Sequence, residues 1–288
     1  MFTSAQAIAA GKTRDELRSR RYSRVFRGVY TTGDALDPMI RVRAALLLAG
    51  PGALLGGVTA LRMMGVWLPS AMEQDKSIHV VIPPGREGPV IPGICVSRGD
   101  TVMQPVELGD VYGIHPAQAW LQVASQLGGT DLVVVTDALM RRQATLATRS
   151  ELQNLVAQFP GHRGVNRARQ ALTKARAGVD SPMETRLRLA LVDAGFPCPE
   201  VNYAVRPVLL GKTYRLDMAY PESRLGIEYD GAVHVANRSQ MQSDRTRRRQ
   251  LEDAGWRVIT ATMADFANLA PLLASVKAAL DGRTSTPR

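Results

Sequence analysis

Thiol chemistry is nearly absent from this sequence. Its only cysteines, Cys95 and Cys198, stand 103 positions apart, which excludes a disulfide framework and any thiolate-rich zinc or iron–sulfur site. Long apolar runs are missing too, since none reaches the ~18–20 residues of a membrane span. The start, Met1-Phe2-Thr3-Ser4, lacks the basic stretch and apolar core of a secretory signal. A cytoplasmic location is therefore expected, with no membrane partner. Acidic residues are the scarcer charge: 26 Asp and Glu stand against 36 Lys and Arg in 288 residues, a net +10. A surplus of that size points to a polyanionic partner. Hydrophobic residues make up 45% of the chain, enough for a packed core. At ~100–200 residues per domain, the length suggests two domains or three small ones.

The positive charge is uneven. Residues 1–33 hold seven Lys and Arg against two Asp and Glu, half of the net surplus in about a ninth of the chain. Ser4 to Ala10 reads as a short helix stopped at Gly11. Thr13-Arg14-Asp15-Glu16 is a capping box, predicting a second helix to about Arg20. Arg24-Val25-Phe26-Arg27-Gly28-Val29-Tyr30 reads as a strand or tight hairpin. Two helices followed by a basic hairpin make the ground plan of a winged helix-turn-helix. The string AIAAGKTRDELRSRRYSRVFRGVY resembles the N-terminal winged-helix segment of type IV abortive-infection antitoxin-like proteins. That resemblance covers about 2–33 and implies DNA contacts by Arg14, Arg18, Arg20, Arg21, Arg24 and Arg27. The plainer alternative is a solvated basic face.

The segment 34–147 reads as a mixed α/β connecting domain. Helices are predicted at Met39–Leu48, Ala53–Gly65, after Pro116 and at Asp131–Arg142. Strands are predicted at Ile78–Ile82, Ile94–Val96 and Val111–Ile114. It carries no catalytic constellation, and His79 and His115 read as packed or capping residues. Residues 148–180 read as a basic helical linker of two helices.

The chemistry concentrates in 181–280. Ser181-Pro182-Met183-Glu184 is a capping box opening a helix, and Glu184 shares a face with Leu187 and Leu191. Thr213–Tyr220 and Arg224–Asp230 read as two strands joined at Pro221-Glu222-Ser223. Tyr214, Leu216, Met218 and Tyr220 should share one face of the first strand. A tight turn then places Asp217 opposite Glu228. Like charges directly opposite destabilise a sheet, and a divalent cation between them is the simplest compensation. Hard oxygen donors suit Mg²⁺, with Mn²⁺ as the substitute. A helix is predicted at 238–254, presenting Arg245, Arg248 and Arg249 to phosphates or to solvent, and 255–259 should close the sheet as a buried strand.

RLD at 215–217, GIEYDGAVH at 226–234, the basic helix and GWRVI at 255–259 resemble the Vsr-like branch of the PD-(D/E)xK nuclease superfamily, named for the very-short-patch repair endonucleases. The resemblance implies a restriction-endonuclease-like fold hydrolysing DNA phosphodiesters with Mg²⁺. Asp217 would bind the metal, Glu228, Asp230 and His234 would complete the site, and Glu184 would be the first helix's acidic residue. Position 230 departs from the superfamily pattern, which has lysine there. The only lysine in 181–262 is Lys212, and the histidine would take its part.

The expected architecture is thus α/β overall: a winged helix (1–33), a mixed α/β segment (34–147), a basic linker (148–180), a nuclease-fold domain (181–280) and a disordered tail (281–288). The expected function is Mg²⁺-dependent DNA cleavage. The alternative is a non-catalytic transcriptional regulator or antitoxin-like protein using the same fold as a platform. Glu184 stands equally well as a helix cap or a site residue. DNA is the expected partner, with a homodimer, a toxin or another protein left open.

Overall fold

The computed structural model describes residues 1–99, 103–206, 213–231 and 238–284. It is mixed α/β and divides into two compact units: residues 1–127 with 151–169, and residues 128–150 with 170–288.

In the first unit, Phe2–Thr3 (β1) leads into Ser4–Ala9 (α1). The Thr3 hydroxyl accepts from the Gln6 amide at 3.1 Å, and the Gln6 side chain accepts from the Thr3 amide at 2.8 Å. The second capping box also forms, with Glu16 Oε2 accepting from the Thr13 amide at 2.6 Å. The helix expected to follow is only a 3-10 turn, Glu16–Arg18. Leu17 alone is buried there, so no apolar stripe offsets the cost of helix nucleation. The basic hairpin forms as Ser23–Phe26 (β2) and Val29–Thr31 (β3), with β1 on the far side of β3.

Next come Pro38–Ala49 (α2), Leu54–Leu55 (β4), Gly57–Met63 (α3), Ser70–Glu73 (α4), Ile78–Ile82 (β5), Ile94–Arg98 (β6), Pro105–Leu108 (β7), Val111–Ile114 (β8) and Pro116–Val123 (α5). The five strands order as β6-β5-β4-β8-β7. The helix expected from Ala53 begins only after β4. Gly56 lies so close to β5 that a Cβ there would stand 2.3 Å from Val81 Cγ2. Asp75 Oδ2 lies 2.9 Å from His79 Nε2, and His115 Nδ1 accepts from the Ala117 amide at 3.3 Å. Both histidines therefore pack or cap. Gly129–Leu139 (α6) belongs to the second unit, and the expected linker holds Arg149–Gln158 (α7) and Val165–Lys174 (α8).

The second unit continues with Pro182–Asp193 (α9), Glu200–Val205 (β9), Tyr214–Tyr220 (β10), Leu225–Asp230 (β11), Arg238–Asp253 (α10), Arg257–Thr262 (β12) and Ala270–Thr284 (α11). The sheet orders as β12-β11-β10-β9. β12 is thus an edge strand with only Ala261 buried, not the closed-in strand expected. It runs parallel to β11, so α10 serves as the crossover that a parallel pair needs. On one side of the sheet, Met218, Tyr220, Leu225 and Ile227 pack with Leu187 and Leu191 of α9 and Leu272 and Val276 of α11. Elsewhere, Val205, Tyr214, Leu216 and Ala219 pack with Leu251 of α10 and Trp256. Leu216 and Met218 therefore belong to different clusters, and the single face expected for β10 breaks at Asp217. Asn202, opposite the break by register, has a left-handed backbone (φ 51). The tail expected to be disordered from residue 281 is helical to Thr284, and 285–288 lie outside the described residues. No described helix is long and apolar enough to cross a membrane.

Candidate active site

The β10–β11 turn sets the site. Pro221–Ser223 form one 3-10 turn, closed by Arg224 in the left-handed region (φ 43). Pairing then runs Tyr220–Leu225, Ala219–Gly226 and Met218–Ile227. The next step puts Asp217 opposite Glu228, the register expected from the sequence. There the ladder gives way to a side chain, and Asp217 Oδ2 accepts from the Tyr229 amide at 2.8 Å. Both acids line one cleft of about 380 Å³, together with Asp230, Arg247, Arg248, Leu251 and Thr260.

The cleft is crowded with negative charge. Burial raises the Asp217 carboxyl above its ordinary value; the Tyr229 amide opposes this, and the neighbouring Glu228 charge adds to it. Glu184 sits at the N-terminus of α9, where its amide donates to Ser181 Oγ at 3.2 Å. Its own Oε2 accepts from the Asp180 amide at 3.1 Å. Burial, and next the Asp217 charge, push the Glu184 carboxyl up to about 7. Glu184 closes the helix end and also feels the Asp217 charge.

Two links fix the start of α9. Asn202 Nδ2 donates to the Gly178 carbonyl and, at 3.3 Å, to Asp180 Oδ2. Arg142 pairs with the same Asp180 oxygen at 2.9 Å. Further along α9, Arg188 donates to Asp137 Oδ2 at 2.7 Å, and Thr185 donates to that oxygen at 2.9 Å. The Arg176 amide donates to Asp137 Oδ1 at 2.7 Å.

A residue not singled out from the sequence holds Glu228. Arg247 on α10 donates through one guanidinium nitrogen to Glu228 Oε2 at 2.9 Å, and through the other to Oε1. The second nitrogen also donates to the Arg215 carbonyl at 2.7 Å. The signal lay in its spacing, because Arg247 precedes the buried Leu251 by four residues and so shares its helix face. Arg245, Arg248 and Arg249 are exposed, and Arg248 lines the cleft. Asp230 ends β11 at the cleft. His234 and Lys212 lie outside the described residues.

Mg²⁺ commonly takes one or two protein carboxylates and completes its shell with water and substrate phosphate. Asp217 and Glu228 are two such carboxylates, and Arg247 engages both oxygens of Glu228. Among the described residues, no group of three or more His, Cys, Asp or Glu side chains is placed to hold a metal.

At the N-terminus, Arg14, Arg18, Arg20, Arg21, Arg24 and Arg27 are all exposed. Arg18 lies 3.5 Å from Asp15. Arg21 stands over the Tyr22 ring, which meets Phe2 edge-on.

No family model matches the chain. It is 30% identical over 242 residues to the uncharacterized protein Rv2248 of Mycobacterium tuberculosis strain H37Rv, covering 84% of this chain and 86% of that protein. The uncharacterized protein MT2308 of Mycobacterium tuberculosis strain CDC 1551 matches to the same extent.

Proposed function

For this chain, which belongs to the family of those mycobacterial proteins, we propose Mg²⁺-dependent hydrolysis of DNA phosphodiesters in the Asp217–Glu228 cleft. The observation that carries this reading is that two crowded carboxylates and the exposed Arg248 border one open cleft. Asp217 keeps one oxygen on the Tyr229 amide and would use the other as a metal donor. Glu228 offers a second carboxylate, and Glu184 retains its proton to near pH 7, which spares the buried side of the site a further full charge. A bound Mg²⁺ supplies Lewis acidity that activates water and offsets charge on the scissile phosphate. Asp230 and His234 complete the proposed set. Arg248, with Arg245 and Arg249, would hold the backbone, and the N-terminal arginines would add sequence-independent affinity.

A second reading has its own support. Arg247 already pairs with Glu228, as suits a non-catalytic DNA-binding regulator. Supercoiled plasmid incubated with the protein separates the two. The nuclease reading expects nicking with Mg²⁺ or Mn²⁺ that stops with EDTA. Tight duplex binding with no cleavage under either metal would establish the regulator instead.

A further inference from the structure

We infer that Arg247 is a displaceable counter-ion. It holds Glu228 in the cation-free protein and gives up that carboxylate when a divalent cation enters. This inference rests on the proposed metal-dependent reading of the cleft. The argument is one of occupancy. A guanidinium fork that engages both oxygens of a carboxylate is a strong and directional contact, and here it covers both oxygens of Glu228. A cation bridging Asp217 and Glu228 needs at least one of them. Asp217 is tied differently, by a backbone amide on one oxygen, so it does not have to move. The exchange also balances charge, because one cation leaves the acids as another arrives.

Arg247 is suited to leave. Its side chain is 34% exposed while that of Glu228 is 18% exposed, so the fork reaches in from the solvent side. The cleft it borders is open and already lined by Arg248. Its contact with the Arg215 carbonyl comes from the same nitrogen that meets Glu228 Oε1. Withdrawal of that nitrogen frees Glu228 Oε1 and the Arg215 carbonyl together, while the other nitrogen still meets Oε2. A binding-competent state populated only in part lowers apparent affinity by the fraction populated. The pair therefore sets a threshold of cation concentration below which the site stays closed.

The test is Mn²⁺ binding to the full chain, read from the electron paramagnetic resonance signal of free Mn²⁺ and independent of any cleavage. R247M keeps the stem and removes the charge. R247K keeps the charge and loses the fork, and it carries the test alone if R247M does not fold. R247M should bind Mn²⁺ roughly 1.5- to 5-fold more tightly than wild type, the range set by a partly exposed ion pair, with R247K in between. R247M should also melt lower in EDTA and gain more in Tm from Mn²⁺ than wild type does. If wild type binds Mn²⁺ and neither variant binds more tightly, Arg247 is not the competitor, and the proposed function is untouched. If wild type and both variants leave Mn²⁺ free, the metal reading falls and the inference falls with it.

Discussion

Arg188 lies four residues beyond Glu184 on α9, and its guanidinium meets Asp137 with both side chains only 1% exposed. The same Arg188 donates to the Lys174 carbonyl at 2.8 Å. Arg188 thus anchors the helix that presents Glu184, joining it to α6 through the ion pair and to the end of α8 through the Lys174 carbonyl.

Breaking that pair from one side should be costly. Asp137→Ala strands a buried guanidinium, and removal of one partner of a buried pair costs about 3–5 kcal/mol. Burial pushes the Asp137 carboxyl up, against the pull of Arg188. Urea unfolding should show the loss. The double variant Asp137→Leu with Arg188→Met should recover most of it, as apolar replacements of buried pairs do. A loss below about 1 kcal/mol for Asp137→Ala would contradict this role.

Glu184 should make stability fall as pH rises. Burial, and next the Asp217 charge, push its folded carboxyl up to about 7, well above the ordinary carboxylate range. Between that range and about pH 7 the folded chain holds the extra proton, so the slope of unfolding free energy with pH is negative there. Above pH 7 the penalty is constant. Glu184→Gln, which keeps an acceptor for the Asp180 amide, should gain on the order of 2–3 kcal/mol over wild type at pH 8, and almost nothing at pH 4. Parallel pH profiles for the two proteins would refute the assignment.

Asp217→Asn separates support from chemistry. The amide oxygen can still accept from Tyr229, but the charge is gone. Nicking should drop by at least ~100-fold, since removal of one group that stabilises transition-state charge costs about 10²–10³, while duplex affinity stays within about twofold. The Glu184 midpoint should also move down, because the Asp217 charge is one of the causes holding it up. An unchanged midpoint, read by carboxyl NMR, would mean the two acids are uncoupled.

The N-terminal hairpin can be tested by salt. Arg24 and Arg27 are exposed on β2 and at its turn. If both meet phosphates, Arg24→Ala with Arg27→Ala should flatten the slope of log affinity against log salt by about 1.8. An unchanged slope would remove the hairpin from the DNA interface.

Much of the second unit was legible from residues alone. Pro221-Glu222-Ser223 announced the turn, and the count back from it placed Asp217 against Glu228. The break in the buried face of β10 was not legible, because it arises where a side chain replaces a backbone acceptor and where Asn202 turns left-handed on the neighbouring strand. Neither event leaves a mark in the period of β10 itself. Arg247 escaped for a related reason. Among four arginines between 245 and 249, only the docking of Leu251 decides which one points at the sheet. At the N-terminus, the Thr13–Glu16 box formed its bonds without a helix to follow. A cap satisfies backbone groups but does not supply the apolar stripe that lengthens a helix. β7 and β9 went unnoticed, since each is only partly buried.

The arginine run on α10 is degenerate in charge. Rotating the helix by one residue would still bring a guanidinium over Glu228, supplied by Arg248 in place of Arg247. Coulomb attraction therefore does not choose the rotation of α10. Leu251 chooses it, as a peg 1% exposed between β10 and Trp256. Swapping that one aliphatic side chain for a polar one would let the helix roll among near-equivalent ionic states, each with a different arginine facing the acids.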